Sequence, residues 1–162
     1  MNKVGIVVLI AGITLASCSD FGSDPPPLLV SNDIRESVIR FMIQNPPSGA
    51  SGNIFAYYVS FSEIEGINPF INVQDPPDKF LERFRDLSLP VKRGSQVTRL
   101  PYPLVDVQTG EPGMWLYVSR IEVLDQNTVR VSAGDAYCLN RYWLVREGRR
   151  WTVTRWGTTW IS

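Results

Sequence analysis

An apolar run near the start of the chain is the feature that most limits what this sequence can fold into. Val4 to Thr14 is almost wholly apolar and follows a short start whose only charged side chain is Lys3. A charged start, about 7–15 apolar residues and small residues at the cut are typical of a secretory signal peptide. A transmembrane helix needs roughly 20 residues, more than this run offers. Residues 1–17 are therefore predicted to be a cleaved signal peptide, with a buried apolar strand as the alternative.

The residues that close this run, Leu15-Ala16-Ser17-Cys18, resemble the lipobox of bacterial lipoproteins. The resemblance implies that the Cys18 thiol receives a diacylglyceryl group, that the chain is cut before Cys18, and that the new amino terminus is acylated. Several acyl chains make a stable anchor, at about 0.8 kcal/mol per buried methylene. In lipoproteins of enteric-type bacteria, Asp directly after the lipidated Cys tends to retain the protein at the inner membrane. The resemblance therefore implies that Ser19 favours the cell outer membrane, facing the periplasm, over the outer face of a plasma membrane. An ordinary secretory signal with a chance cysteine is the other interpretation.

The chain beyond the cut divides by composition into a tether and a domain. Residues 18–30 hold the lipidation site, small and acidic residues, and three prolines at 25–27 that favour an extended polyproline II spacer. Residues 31–162 are expected to form a single globular domain, because they are numerous enough to bury a core. Once Cys18 is lipidated, Cys138 has no partner within the chain, so no disulfide is predicted.

Local patterns predict two helices in the first half of this domain. Apolar residues at helical spacing follow either a capping box of Asp33 and Glu36 or an N-cap at Ser31 or Asn32, and Pro46-Pro47 ends the helix. A strand rich in aromatic and β-branched residues is expected at 54–61. Asp75 is then a predicted N-cap, with proline in the first turn of a short second helix.

From Gln96 onward the pattern is typical of β-structure. Strands are predicted at 114–124, 128–133, 141–146 and 151–156, the last two joined by a tight turn at Glu147-Gly148-Arg149. In the first of these strands, Ile121 and Val123 are expected on the same side as Trp115. The fold class predicted from this order is α+β: an antiparallel β-meander sheet with two helices packed on one face.

The final hairpin, Tyr142 to Val153 (YWLVREGRRWTV), resembles the closing hairpin of NTF2-like domains. In that family a tyrosine-bearing strand, a turn with charge and glycine, and a Trp-x-Val strand end the fold. The resemblance implies a small-molecule pocket, which in the enzymes of the family is lined with His and Asp. The long helical hairpin that opens the family's fold is not evident, since a strand follows Pro46-Pro47.

The chain has no histidine, which removes several kinds of catalytic chemistry. Ser-His-Asp and Cys-His catalysis, histidine-ligated metals and an imidazole base at neutral pH are all excluded. Ser95 near Lys92 is a possible nucleophilic pair, but the surrounding loop is typical of a solvated segment. Glu63 and Glu65 are a possible carboxylate pair for glycoside hydrolysis, but they alternate with Ile64 as solvent-facing residues do at a strand end. Cys138 has the surroundings of a small core residue. The prediction is a non-catalytic protein with no cofactor and no metal.

Two groups of side chains are candidate binding surfaces. The five tryptophans all lie in the second half of the chain, where they could stack on sugars such as peptidoglycan or fill the core. Arginines 141, 146, 149, 150 and 155 lie on the final hairpin, where they could grip carboxylates or phosphates or form a solvated face. The candidate binding residues are Arg149, Arg150, Arg146 and Trp151. The expected partners are the membrane, through the lipid, and an envelope protein or peptidoglycan; nothing in the sequence indicates nucleic acid.

Overall fold

A computed structural model describes residues 28–46, 53–62, 73–98 and 103–161. The predicted signal peptide, Cys18 and the tether as far as residue 27 lie outside these residues, while residues 28–30, predicted as the end of the tether, belong to the first helix. Within them, no helix is both long enough and apolar enough to cross a membrane. The elements in chain order are α1 (Leu28–Gln44), β1 (Ala56–Ser62), β2 (Val73–Gln74), α2 (Asp78–Leu81), β3 (Val91–Arg93), β4 (Gly113–Asp125), β5 (Thr128–Asp135), β6 (Cys138–Glu147) and β7 (Arg150–Ile161).

The seven strands found in the described ranges belong to one sheet. Its order is β2-β1-β4-β5-β6-β7, and β3 pairs with β1 beside β2. From β4 to β7, each strand is antiparallel to the one that follows it in the chain. β1, however, runs parallel to both β4 and β3. The predicted α+β class is therefore confirmed, but the sheet is mixed and not wholly antiparallel.

Helix α1 has the predicted end but not the predicted start. It ends at Gln44, before the two prolines, as expected. It begins at Leu28, so Asp33 and Glu36 lie inside the helix and their side chains pair with Arg83. The predicted capping box and the alternative caps at Ser31 and Asn32 are therefore wrong, because all four residues lie inside the helix. The two carboxylates that the sequence pattern assigned to a cap pair instead with Arg83, which lies outside the helix.

The second helix shows the same kind of difference. α2 covers one turn, followed by a 3₁₀ turn at Glu82–Phe84, and its N-cap is Pro77. Asp75 does not cap it. The Asp75 carboxylate instead accepts hydrogen bonds from the backbone N–H and the hydroxyl of Ser95, at 2.9 and 2.5 Å. The predicted N-cap is therefore wrong, because a residue twenty positions away supplies better donors.

The main core lies between α1 and one face of the sheet. Ile34, Val38, Ile39 and Met42 of α1 are fully buried there. Strands and the short second helix add a further set of core residues: Val59, Phe80, Phe84, Met114, Leu116, Val118, Val129, Val131, Ala133, Tyr142, Leu144 and Trp151. A smaller cluster on the other face of the sheet contains Tyr58, Trp115 and Tyr117.

Strand β4 changes faces in its middle, which the sequence pattern did not predict. Met114, Leu116 and Val118 face the main core, while Trp115 and Tyr117 face the smaller cluster. Ile121 and Val123 also pack against the main core, opposite to the predicted side. The strand pairing shifts between Val118 and Ile121, as a β-bulge does. The extra residue reverses the alternation, because successive side chains in a strand point to opposite faces.

Candidate functional site

The β6–β7 hairpin places two of the predicted binding residues at an exposed turn. Gly148 has φ of 63°, a left-handed conformation that side chains with a Cβ seldom adopt, and so allows the tight turn. Arg149 and Arg150 follow directly and are both exposed. Arg146 is also exposed, and its Nε donates to the carbonyl oxygen of Gly148 at 3.2 Å. The hydrogen-bonded strands of the hairpin therefore hold the backbone that carries these guanidinium groups.

A groove of about 610 Å³ separates this turn from α1. We call it the hairpin groove, and it is lined by Asp33, Glu36, Ser37, Arg40, Asp86, Arg149, Arg150 and Trp151. Trp151 is 9% exposed and belongs to the main core, so its principal role is packing. Three of the four residues proposed from sequence thus meet at one groove, and Arg146 lies on the same hairpin.

The carboxylates of the hairpin groove are matched by two arginines. Arg40 binds Glu36 at 2.9 Å and both oxygens of Asp86 at 2.9 Å. Arg83 binds Asp33 at 2.7 Å and Glu36 at 2.9 Å. The hydrogen bond from Arg40 holds the pKa of Asp86 below its usual value, and the bond to Asp86 raises the pKa of Arg40. Each acidic residue of the groove therefore already has a cationic partner.

Arg149 and Arg150, unlike Arg40, are not paired with a carboxylate of the groove. Among the residues that the structure describes, neither forms an ion pair or a side-chain hydrogen bond. A guanidinium presents planar N–H donors that match a carboxylate or a phosphate. With the groove's own carboxylates taken, the two side chains can bind an anion from outside the domain.

The remaining candidates from sequence are dispersed. Trp115 is buried and donates to the Ser60 hydroxyl at 2.9 Å, so it belongs to the fold. Trp156 is 44% exposed and stacks on Tyr142. Trp143 is half-buried beneath the guanidinium of Arg155. Arg141 is half-buried and engaged with other residues of the domain, while the side chain of Trp160 lies outside the described residues. The tryptophans do not form one sugar-binding platform.

The possible Ser-Lys nucleophile is not assembled. The Ser95 hydroxyl donates to Asp75, while the Lys92 ammonium donates to Asp106 at 2.7 Å. The Tyr58 hydroxyl donates to the same oxygen of Asp106 at 2.5 Å. Hydrogen bonds from Lys92 and Tyr58 hold the pKa of Asp106 well below its usual value, and burial, with help from Asp106, raises that of Tyr58. Lys92 is thus the ion-pair partner of Asp106 and lies apart from Ser95 in the hydrogen-bond pattern. Glu63 and Glu65 lie outside the described residues.

A buried polar cluster on the core face of β6 was missed from the sequence. Asn140 is 0% exposed; its amide nitrogen donates to the Tyr142 hydroxyl at 3.5 Å, and its Oδ1 has no hydrogen-bond partner. Tyr142 is 1% exposed, and burial raises the pKa of its hydroxyl. Burial likewise raises the pKa of the nearby Cys138 thiol. The sequence carried one signal for this cluster. Asn140 stands two residues before Tyr142 and four before Leu144, which is the spacing of residues on the same buried face of a strand.

No grouping of three or more metal-ligating side chains is present in the described parts of the chain. Comparison of the sequence and the structure with protein-family models, curated proteins and solved structures gives no match.

Proposed function

We propose that this protein is a bacterial envelope lipoprotein whose domain binds an anionic partner in the hairpin groove without catalysing a reaction. One observation carries the binding proposal: Arg149 and Arg150 line a groove in which every carboxylate is already paired with another arginine. The partner is an envelope protein or peptidoglycan that presents carboxylate or phosphate groups. The complete lack of histidine supports a binding role over hydrolysis.

The groove suits such a partner for two physical reasons. First, Arg40 and Arg83 neutralise the acidic wall, so an incoming anion meets no unpaired carboxylate there. Second, the hairpin fixes the backbone of both free arginines, so binding orders only their side chains. Each immobilised long side chain costs about 0.5–1.5 kcal/mol, and a firm backbone support avoids adding to that cost.

The binding proposal is tested by reversing the two charges. Arg149→Glu/Arg150→Glu should abolish retention of the domain by isolated envelope at low salt, and raised salt should do the same to the wild type. The matched control is Lys79→Glu/Arg93→Glu, which changes the net charge equally at exposed positions that are remote in sequence from the hairpin and not adjacent to a groove residue. Equal retention of all three proteins would contradict the proposal.

The anchoring proposal is separate and concerns Cys18. Replacing it with alanine should abolish labelling by a radioactive fatty acid and block cleavage before residue 18, because the thiol is the acylated atom. Ser17→Ala keeps a small residue at the cut and serves as the control. A Cys18→Ala protein that is still cut and labelled at the wild-type level would rule out the lipobox.

We also propose the finer arrangement predicted from sequence, in which both helices cover one face of a β-meander. Phe80 of α2 shares the main core with α1, which supports this arrangement.

A second candidate function, binding of a small molecule, is favoured by the buried polar cluster of Asn140 and Tyr142. An unpaired buried acceptor costs about 1–3 kcal/mol, which a ligand N–H or O–H would recover. Benzamide, which carries both a donor and an acceptor, should bind the wild type and be lost from Asn140→Leu; binding unaffected by that change would exclude the cluster.

A further inference from the structure

Strand β7 contains a bulge that brings Trp156 to the core face of the sheet. In the pairing of β6 with β7, Arg155 and Val153 lie opposite neighbouring residues of β6, so Thr154 is an extra residue. Val153 packs on the main core, and strict alternation would send Arg155 to the same side. The bulge reverses the alternation, so Arg155 points outward and Trp156 stacks on Tyr142 of the core.

Three aromatic rings meet at this place, those of Phe41, Tyr142 and Trp156, which we call the aromatic group. Phe41 of α1 makes edge contacts with the other two, with ring centroids 5.9 and 6.5 Å apart, and Tyr142 and Trp156 are stacked at 6.4 Å. Tyr142 is 1% exposed, whereas Trp156 is 44% exposed. Because β7 is the last strand in the order of the sheet, the aromatic group reaches from the buried core to the solvent at the sheet edge.

The unpartnered Asn140 side chain lies directly beside the aromatic group, on the same face. Asn140 is two residues before Tyr142, and its neighbour on β7 is Thr158, two residues after Trp156. Asn140 is 0% exposed, while Thr158 is exposed. Neighbouring strands are about 5 Å apart, so a single strand separates the buried amide from the open edge of the sheet.

A buried carboxylate lies on the other side of Asn140. Asp135 of β5 is its diagonal neighbour on the core face, and such neighbours are about 7–8 Å apart. Asp135 is 3% exposed, and its Oδ1 accepts the backbone N–H groups of Tyr137 and Cys138, both at 2.9 Å. Burial raises the pKa of the Cys138 thiol and of the Tyr142 hydroxyl, and the negative charge of Asp135 raises both pKa values further. The charge of Asp135 therefore acts on the whole polar cluster.

The resulting site is rich in hydrogen-bond acceptors. None of the residues that the structure describes donates to Asn140 Oδ1, and an ionised Asp135 can only accept. The arginines of β6 and β7 nearest to the cluster, Arg141 and Arg155, lie on the outer face by the alternation of their strands. A ligand that enters from the edge of the sheet therefore meets acceptors and a negative charge, and it must supply the donors.

We infer that this site binds a small organic amine, with the ammonium group between Asn140 and Asp135 and the apolar part against the aromatic group. The inference rests on the second candidate function, binding of a small molecule, and specifies the class of that molecule. An ammonium group carries several N–H donors, enough for both side chains. The faces of tyrosine and tryptophan rings attract a cation and also offer area for an apolar substituent. A neutral amide would gain no charge interaction, and an anion would be repelled by Asp135.

The test measures binding of benzylamine, benzamide and benzoate to the full chain in detergent by calorimetry. The three probes share a phenyl ring and differ in charge. The wild type should bind benzylamine about tenfold more tightly than benzamide, because hydrogen bonds between charged groups are the stronger ones. Benzoate should bind the wild type no better than it binds Asn140→Leu, so any benzoate held by the hairpin groove does not affect the result.

Variants then test the place of the ammonium group. Asp135→Asn keeps an acceptor oxygen for the two backbone N–H groups and removes the charge. It should weaken benzylamine binding about tenfold and change benzamide binding less than about twofold. Asn140→Leu should lose both ligands. Asp78→Asn, which neutralises an exposed carboxylate of α2, is the matched control and should bind all three probes as the wild type does.

The outcomes separate the inference from the function on which it rests, and the ranking of the probes in the wild type needs no variant to fold. If benzamide binds as tightly as benzylamine and is lost from Asn140→Leu, the amine is overturned and the small-molecule site stands. Benzylamine binding that is indifferent to Asp135→Asn would overturn the position of the ammonium group. If no probe binds in a way that depends on Asn140, both the inference and the second candidate function fail.

Discussion

Trp151 connects the core to the hairpin groove, and its removal gives the sharpest test of the structure. Its side chain is 9% exposed and packs in the main core. Truncation of a buried tryptophan to alanine costs about 3–5 kcal/mol, because contacts are lost and a cavity stays behind. For a chain of this size about 1 kcal/mol corresponds to roughly 2–4 °C in Tm. Trp151→Ala is therefore expected to lower the Tm by about 6–20 °C.

The assay is urea and thermal unfolding followed by far-ultraviolet circular dichroism, which does not depend on the fluorophore being removed. Trp156→Ala is the matched control, since it changes the same residue type on the same strand. Trp156 is 44% exposed and makes edge and stacking contacts with Phe41 and Tyr142, so its loss should cost only about 1–2 kcal/mol. A loss below about 1 kcal/mol for Trp151→Ala would refute its burial and return it to the list of surface binding residues.

Three further predictions concern other parts of the fold. Gly134→Ala should destabilise the protein by about 1–3 kcal/mol or more, because its Cβ would lie against the backbone carbonyl of Cys138, whereas Gly157→Ala meets no atom within 4 Å; a comparison of the two Tm values decides this. Hydrogen bonds lower the folded-state pKa of Asp106, so its stabilising contribution is present above the unfolded pKa of about 3.9 and is lost as the pH falls toward the folded value. Asp106→Asn should accordingly flatten the acid limb of the urea midpoint measured against pH, and an unchanged limb would contradict the assignment. In the Cys18→Ala protein, the buried Cys138 thiol, whose pKa is raised by burial, should react with a thiol reagent at mildly alkaline pH only as fast as the domain unfolds; rapid labelling of the native protein would show that this end of β6 is open.

Several parts of this protein were determined by local sequence. The end of α1 follows from two adjacent prolines, which cannot continue a helix. The β6–β7 hairpin follows from alternating apolar residues around Gly148, and the exposure of Arg149 and Arg150 follows from their place at its turn. The approximate position of β1 and β5 was also predictable, because aromatic and β-branched residues are concentrated there. Each of these features depends on residues close together in the chain.

The tertiary structure alone decided how those elements combine. The sequence predicted a capping role for both Asp33 and Asp75. Asp33 instead pairs with Arg83, and Asp75 accepts a hydrogen bond from Ser95, a residue distant in sequence. The parallel pairing of β1 with β4 joins strands more than fifty residues apart, which no short-range pattern encodes.

The faces of the bulged strands were decided in the same way. The bulges in β4 and β7 turn Ile121 toward the core and Arg155 away from it, against the alternation of the sequence. A bulge is fixed by how two strands match along their whole length, and one extra residue reverses every side chain beyond it. The sequence alone predicted that two arginines are exposed at the hairpin turn. The fold places opposite them a wall of carboxylates that are already paired, so the two arginines have no partner in the groove.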